Sequence, residues 1–168
     1  MKLKVATALI LGTVLSRLIP HPPNFAPVTA MAVFAGFYFS NIWLALFIPL
    51  VTMVLSDAVM GFHADILLVY GCFAITTWVS FALRGKKSVV RVASIVMASN
   101  LFFFLVTNFA AWPGNPLYAQ DISGLFQSYT AAIPFYGNSL VGDAFYCVAL
   151  FGTWEMLSRS IPDLKITA

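Results

Sequence analysis

Residues 89–112, VVRVASIVMASNLFFFLVTNFAAW, form the stretch that decides the fold of this chain. The stretch contains a single charged residue, Arg91, and as an α-helix it is long enough to cross the roughly 30 Å hydrocarbon core of a bilayer. The whole composition agrees, because 61% of the 168 residues are hydrophobic and only 9% are charged, against about a quarter in soluble domains. We therefore predict an integral membrane protein with a single transmembrane domain, residues 1–168.

Further apolar segments accompany this stretch, so the sequence predicts an all-α bundle of six transmembrane helices. The predicted helices are residues 4–19, 28–39, 42–56, 66–83, 89–112 and 139–158. The second and third are separated by only Ser40 and Asn41, but one continuous helix there would overshoot the bilayer and contain Pro49. We therefore predict two short helices at this point rather than one long helix.

Lysine and arginine residues predict the orientation, because the cytoplasmic loops of membrane proteins are enriched in both. With the N-terminus inside, eight of the nine basic residues fall on the inner side. They are Lys2, Lys4, Arg84, Lys86, Lys87, Arg91, Arg159 and Lys165. The ninth, Arg17, lies near the outer end of the first helix. This scatter along the chain excludes a nucleic-acid partner, because nucleic-acid-binding proteins gather basic residues into one stripe.

Three segments remain on the outer side, and their composition predicts structured loops. Residues 21–27 contain three prolines, which exclude a helix there. Residues 57–65 form the second segment. Residues 113–138 form the third, a long connection around a more regular piece at residues 122–133. Long ordered connections often serve as lids or binding loops, so we expect the first and third segments to close over a ligand.

Polar side chains inside apolar spans are costly in a bilayer, so each one is a candidate functional residue. Most of them map to the outer half of the predicted bundle or to its outer loops. The candidate ligand-binding residues are Arg17, His21, Asn24, Asp57, His63, Tyr70, Asn108, Tyr136, Asn138 and Asp143. The pattern predicts a cavity that opens outward.

Two interactions among the polar residues stay open in the sequence. Arg17 and Asp143 lie at comparable depth and can form an ion pair, and Asp57 is a second possible partner for Arg17. Such a pair can be purely structural or can also touch a ligand, because intramembrane charges face either a bundle interior or a wet cavity. Asn100 and Asn108 are two helical turns apart on one face, and they can hold helices together or contact a ligand.

The two cysteines lie inside apolar segments and have no metal-binding spacing. Cys147 is interpreted as a small apolar packing residue. Cys72, near the outer end of the fourth helix, has two interpretations, a packed residue or a soft ligand for the metal of a metal-bearing ligand.

Pairs of small residues occur at four-residue spacing in the first two helices, Ala8 with Gly12 and Ala32 with Gly36. Small residues allow close contact between membrane helices. Internal packing is the favoured interpretation of both pairs, and a docking face for a partner helix is the alternative.

Several short strings add a family resemblance to this architecture. They are RLIPHPPNF at residues 17–25, AG at 35–36, SD at 56–57, GFH at 61–63, NFAAW at 108–112, PF at 134–135 and GD at 142–143. With them the chain resembles, over nearly its whole length, a group of small bacterial membrane proteins related to the substrate-binding S-components of energy-coupling-factor vitamin transporters. The resemblance implies an S-component-like six-helix bundle in the bacterial inner membrane, with both termini in the cytoplasm.

Within the S-component class, solitary cobalamin transporters of the BtuM type offer the closest chemical parallel. They have a histidine after the first helix, an aspartate near the outer end of the third and a cobalt-ligating cysteine in the fourth. By position in the topology, these roles would fall on His21, Asp57 and Cys72. The resemblance implies uptake of a vitamin, with cobalamin as a candidate ligand, no intrinsic cofactor, and an incidental decyanation of cobalamin by the Cys72 sulfur.

The expected partners are therefore the lipid bilayer and a small vitamin ligand captured from the outer side. An energy-coupling transmembrane subunit with ATPases is a further expected partner if the protein does not work alone, because the chain has no phosphate-binding Gly-Lys-Ser/Thr loop.

Two other functions are alternatives to vitamin capture. One is an intramembrane enzyme with His21 or His63 as the base and Asp57 or Asp143 as the orienting carboxylate, but the sequence shows no nucleophile motif. The other is a membrane scaffold without a small ligand, which does not explain why polar residues cluster on the outer side.

Overall fold

The computed structural model describes residues 2–85 and 88–161 of the chain. The helices are α1 (Lys2–Leu15), α2 (Val28–Tyr38), α3 (Ile42–Met60), α4 (Ile66–Ala82), α5 (Val89–Ala111) and α6 (Ile122–Ser160), and a 3₁₀ turn, Ser16–Leu18, follows α1. These described residues contain no strand. The predicted all-α class and the separation of the second and third helices are therefore confirmed. Lys86, Lys87 and Lys165, on which part of the predicted orientation rests, lie outside the described residues.

Three of the helices, α3, α5 and α6, are long and apolar enough to cross a membrane. The helices α2 and α4 are apolar but shorter. With 11 residues, α2 reaches only about 16 Å at the usual helical rise, roughly half the thickness of a hydrocarbon core. As a straight helix α2 is therefore shorter than the hydrocarbon core, and its crossing of the bilayer stays a prediction.

Helix α2 instead forms the centre of the bundle. Residues 28–37 are all buried, and α1, α3, α4, α5 and α6 all pack against the helix. The sequence permits this position because α2 carries no charged side chain and has small residues that let neighbouring helices approach closely. The central helix thus presents no face to lipid.

The closest of these approaches is the contact between α2 and α4 at Gly36. A Cβ built on Gly36 would lie 2.5 Å from the Cβ of Ser80 and 2.8 Å from the backbone nitrogen of Phe81. Internal packing is therefore confirmed for the small pair in α2. The other small pair, Ala8 and Gly12, is exposed on α1, and a Cβ on Gly12 would meet nothing within 4 Å. Internal packing is wrong for that pair.

Helix α6 corrects the predicted third outer loop. Residues 113–138 do not form a long loop, because α6 begins at Ile122 and continues through Pro134. Proline usually breaks a helix, but it is tolerated within membrane helices where neighbouring groups compensate for the lost hydrogen bond. Asp121 caps this helix by accepting a hydrogen bond from the Gly124 nitrogen.

The first half of α6 is held against α5 by hydrogen bonds to carbonyl groups. The Ser128 hydroxyl donates to the Asn108 carbonyl at 3.0 Å, and the Tyr129 hydroxyl donates to the Leu105 carbonyl at 2.8 Å. The connection between α5 and α6 is therefore short. Most of the segment that was expected to close over a ligand, residues 113–138, is helical.

A side chain from outside the helix closes the C-terminal end of α2. The Arg84 guanidinium donates to the Phe39 carbonyl at 2.7 Å and lies over the Phe81 ring, 3.9 Å from its centroid. A cation at this end also interacts favourably with the negative end of the helix dipole. The Phe39 carbonyl at this end of the central helix is thus paired.

We expect Gly36→Ala to lower the free energy of unfolding by about 1–3 kcal/mol, because the added Cβ meets the backbone of α4, which cannot move aside as a flexible side chain can. The measurement is the thermal midpoint of the protein in detergent, followed by size-exclusion chromatography. Gly152→Ala in α6 is the matched control, because nothing lies within 4 Å of its added Cβ. Equal midpoints for the two variants would contradict the close approach of α2 and α4.

Candidate functional site

A cavity of about 280 Å³ lies at the N-terminal end of α2, and we call it the charged chamber. All six helices or the segments that connect them contribute to its wall. Its polar lining consists of Arg17, Asn24, Thr29, Asp57, His63, Asn100, Ser139 and Asp143, and its apolar lining of Ala26, Val28, Met53, Val69, Phe73 and Phe103. Five of the ten candidate ligand-binding residues, Arg17, Asn24, Asp57, His63 and Asp143, are thus brought together around one space.

An ion pair between Arg17 and Asp57 forms one side of the charged chamber. Their side chains are 2.8 Å apart, at 12% and 3% exposure. The Arg17 guanidinium also donates to the Ser56 hydroxyl, and the Tyr70 hydroxyl donates to the second Asp57 oxygen at 2.7 Å. Of the two partners open to Arg17 in the sequence, Asp57 is therefore the one it bonds, and Asp143 is not. Tyr70 contributes to the site through Asp57 and does not line the cavity.

Asp143 has a different role, because it caps the N-terminus of α2 from a neighbouring helix. One carboxylate oxygen accepts from the Ala30 backbone nitrogen at 3.0 Å, and the other accepts from the Asn100 amide at 2.7 Å. The Thr29 side chain also bonds to this carboxylate. Free backbone N–H groups and the positive end of the helix dipole make a helix N-terminus favourable for an anion. A carboxylate that is only 1% exposed is stabilised in this way.

A second chamber of about 100 Å³ adjoins the first, and we call it the amide chamber. The two chambers share Asn24, Asn100, Phe103 and Ser139 in their walls. The rest of the amide chamber is lined by Phe104, Thr107, Asn108, Ala132, Phe135 and Tyr136. Two further candidates, Asn108 and Tyr136, therefore line a chamber that shares wall residues with the charged chamber.

The predicted first loop is docked on α6. The Asn138 amide donates to the Pro23 carbonyl at 3.0 Å, and Phe25 packs against Tyr146 with ring centroids 5.8 Å apart. Asn24 has a positive φ of 63°, a conformation that asparagine adopts more readily than most residues. The loop is thus fixed so that Asn24 lines both chambers.

Besides Tyr70, three candidate residues lie away from the cavity walls. The exposed His21 ring contacts only the Pro22 carbonyl, Asn138 holds the loop as described, and the buried Cys72 lines neither chamber. The candidate set, in turn, lacked Asn100 and Ser139, which line both. Asn100 shares a helix face with Asn108, so the spacing was the available signal for it. No sequence signal distinguished Ser139.

The enzyme and metal-ligand hypotheses both depend on how the histidine, cysteine and aspartate side chains are arranged. Within residues 2–85 and 88–161, neither His21 nor His63 forms a hydrogen bond with an aspartate. Over the same part of the chain, no group of three or more His, Cys, Asp or Glu side chains is arranged to hold a metal ion. The arrangement is chemically suited to binding, because it combines buried charges, amide groups and aromatic rings around an open space.

Residues 1–164 match a protein family described as a family of unknown function, DUF6580, and the chain belongs to this family. No curated protein and no solved structure matches the chain.

We expect Asp143→Ala to lower the free energy of unfolding by about 3 kcal/mol, because it removes the acceptor of the Ala30 and Asn100 donors and leaves both buried without a partner. Thermal midpoints in detergent measure the loss. Asp65→Ala is the matched control, since Asp65 is exposed and makes no side-chain hydrogen bond at the start of α4. Unfolding of both variants at the wild-type temperature would refute the capping role.

Proposed function

We propose that this protein is a substrate-binding membrane component for the uptake of a small vitamin-type micronutrient. The observation that carries the proposal is the pair of adjoining chambers, where ion-paired, amide and aromatic side chains surround open space inside an apolar helical bundle. Buried polar groups in a membrane bundle are expensive, and they typically mark a substrate pathway or binding site. The resemblance to S-components supports a vitamin as the class of cargo.

The distribution of basic residues supports capture from the outer side. Arg84 and Arg159 lie near the ends of α4 and α6 that are remote from the cavity, as inner positions require under the positive-inside rule. The chambers then open towards the outside of a bacterial inner membrane, and both termini are cytoplasmic. A ligand enters between the docked loop and the segment that joins α3 to α4.

Release to the inside requires a conformational change, because the central helix α2 and its neighbours close the space below the chambers. An energy-coupling transmembrane subunit with ATPases would supply the work for this step if the protein does not act alone. The exposed small pair Ala8 and Gly12 on α1 offers a surface of the kind that a partner helix packs against in a membrane.

Cobalamin is the specific ligand that the resemblance suggests. The volume of the charged chamber, however, favours a smaller ligand. The charged chamber, at about 280 Å³, is near the lower limit for sites that hold drug-sized molecules, roughly 300 Å³, and a corrinoid is much larger than such molecules. Cys72, the residue expected to ligate cobalt, lines neither chamber. Capture of cobalamin would therefore require both a wider cavity and a movement that exposes this thiol.

Native mass spectrometry of the full chain in nanodiscs tests the proposal. The protein is incubated with the low-molecular-mass fraction of a bacterial extract and washed. We expect a retained small molecule in the wild type and at least about tenfold less of it in Ser139→Leu, because the added side chain fills the wall shared by both chambers.

Thr130→Leu in the same helix is the matched control, because Thr130 is exposed, lines neither chamber and bonds only within α6. This variant should retain the small molecule as the wild type does. A wild-type protein that retains nothing, or equal retention in Ser139→Leu and Thr130→Leu, would reject the proposed binding site.

A separate expectation concerns cobalamin itself. Protein purified after expression with added cobalamin should be colourless, because the chambers are small and the Cys72 thiol does not face them. Visible absorbance measures this. A corrinoid spectrum that survives washing, with bands shifted in the wild type but not in Cys72→Ser, would instead support cobalamin capture through a cobalt–sulfur bond.

A further inference from the structure

The amide of Asn100 is oriented by its neighbours in a way that leaves one atom without a protein partner. Its nitrogen donates to the Val96 carbonyl at 3.3 Å and to the Asp143 carboxylate at 2.7 Å. Both neighbours are acceptors, so the two N–H groups must face them and the oxygen must point elsewhere. The two acceptors therefore fix the orientation of the amide.

The remaining Oδ1 atom of Asn100 faces the chambers. Asn100 is only 2% exposed and lines both chambers. No fully buried side-chain oxygen or nitrogen in residues 2–85 and 88–161 lacks a hydrogen-bond partner, so Oδ1, which accepts no hydrogen bond, borders their open space. An acceptor beside an open space is free to receive a hydrogen bond from a donor outside the protein, either water or a ligand. A ligand that fits the site thus brings an N–H or O–H group to this point.

The charge of the chamber points to the kind of donor. Asp57 and Asp143 line it together with a single guanidinium, that of Arg17. The Ala30 backbone N–H and the Asn100 amide both donate to the Asp143 carboxylate. The α2 N-terminus offsets roughly half a charge. The wall therefore keeps a net negative charge, which attracts a cation and repels an anion.

The apolar part of the wall points to a flat ligand. The rings of Phe73 and Phe103 lie 5.1 Å apart between centroids, stacked at 25°, and both line the charged chamber. Aromatic side chains favour stacking with other rings and also attract cations. The chamber volume of about 280 Å³ limits the ligand to a small ring system with a short side chain.

Resting on the proposed function, we infer that the ligand of this site is a small aromatic or heteroaromatic cation whose N–H groups donate to the Asn100 oxygen and lie beside the Asp143 carboxylate. The cationic group belongs in the charged chamber, next to the buried carboxylates. The ring lies against Phe73 and Phe103, and the amide chamber accepts any polar substituent.

Three indole probes of nearly equal size test this inference with the full-length protein in nanodiscs. They are tryptamine, a cation, tryptophol, which is neutral, and indole-3-acetate, an anion. Isothermal titration calorimetry should give a dissociation constant for tryptamine at least about tenfold lower than that for indole-3-acetate, with tryptophol in between. Equal or tighter binding of the anion would overturn the inference, and so would failure of all three probes to bind.

A variant at the edge of the chamber separates charge from shape without risk to the fold. His63 is exposed, lines the charged chamber and makes no side-chain hydrogen bond, so His63→Lys adds a positive charge there. It should weaken tryptamine binding about fivefold and strengthen the binding of indole-3-acetate. Gln127→Lys, on an exposed position that lines neither chamber, is the control and should change neither. An unaltered tryptamine affinity in His63→Lys contradicts the inference.

The inferred ligand class and the proposed uptake function can fail separately. If the extract loads the protein but none of the indole probes binds, the ligand class is wrong and the proposed uptake function stands. If the extract loads nothing and tryptamine does not bind, the proposed function itself fails. If a retained extract compound carries no basic nitrogen, the inference is overturned even though the chambers are a binding site.

Discussion

The capping of a short buried helix is the constraint on which the rest of the structure depends. Helix α2 has helices on all sides, so the backbone N–H and C=O groups that its two ends leave unpaired need partners from elsewhere in the chain. Asp143 supplies the acceptor at the first end and Arg84 supplies the donor at the other. Each also places the favourable sign of charge at that end of the helix dipole. The positions of α4 and α6 around α2 are fixed in part by these two bonds.

The same arrangement explains where the cavity lies. The chain must reach the buried start of α2 from the end of α1, and the proline-rich loop does so while it leaves unfilled space beside Asp143. Asp143 and Asn100 therefore serve two purposes, since they complete the central helix and form the wall of the chambers. A ligand that bonds to Asn100 touches the bonds that hold α2.

Much of the candidate site followed from the cost of polar groups in an apolar chain. Arg17, Asp57 and Asp143 stood out because a charge within a membrane span needs a partner or a cavity. In the structure each of the three has a hydrogen-bond partner and lines the charged chamber. What the sequence left open was the pairing, since Arg17 has two carboxylates at similar depth and only the packing of α1 against α3 places Asp57 within 2.8 Å. Cys72 and His21 were candidates because one is a reactive side chain and the other a polar one. In the structure neither lines a chamber. The spacing of residues along the chain does not show which way these side chains point.

The sequence by itself determined the helical class, because an apolar chain in a bilayer must pair its backbone groups internally, and it located the helices α2 to α5 closely. It did not determine that α2 is central or that α6 runs through Pro134, since local proline and length rules describe an isolated segment. Only the tertiary structure decided these features. Neighbouring helices cover α2 on every side and hold the first half of α6 through Ser128 and Tyr129, and such long-range contacts leave no trace in local spacing.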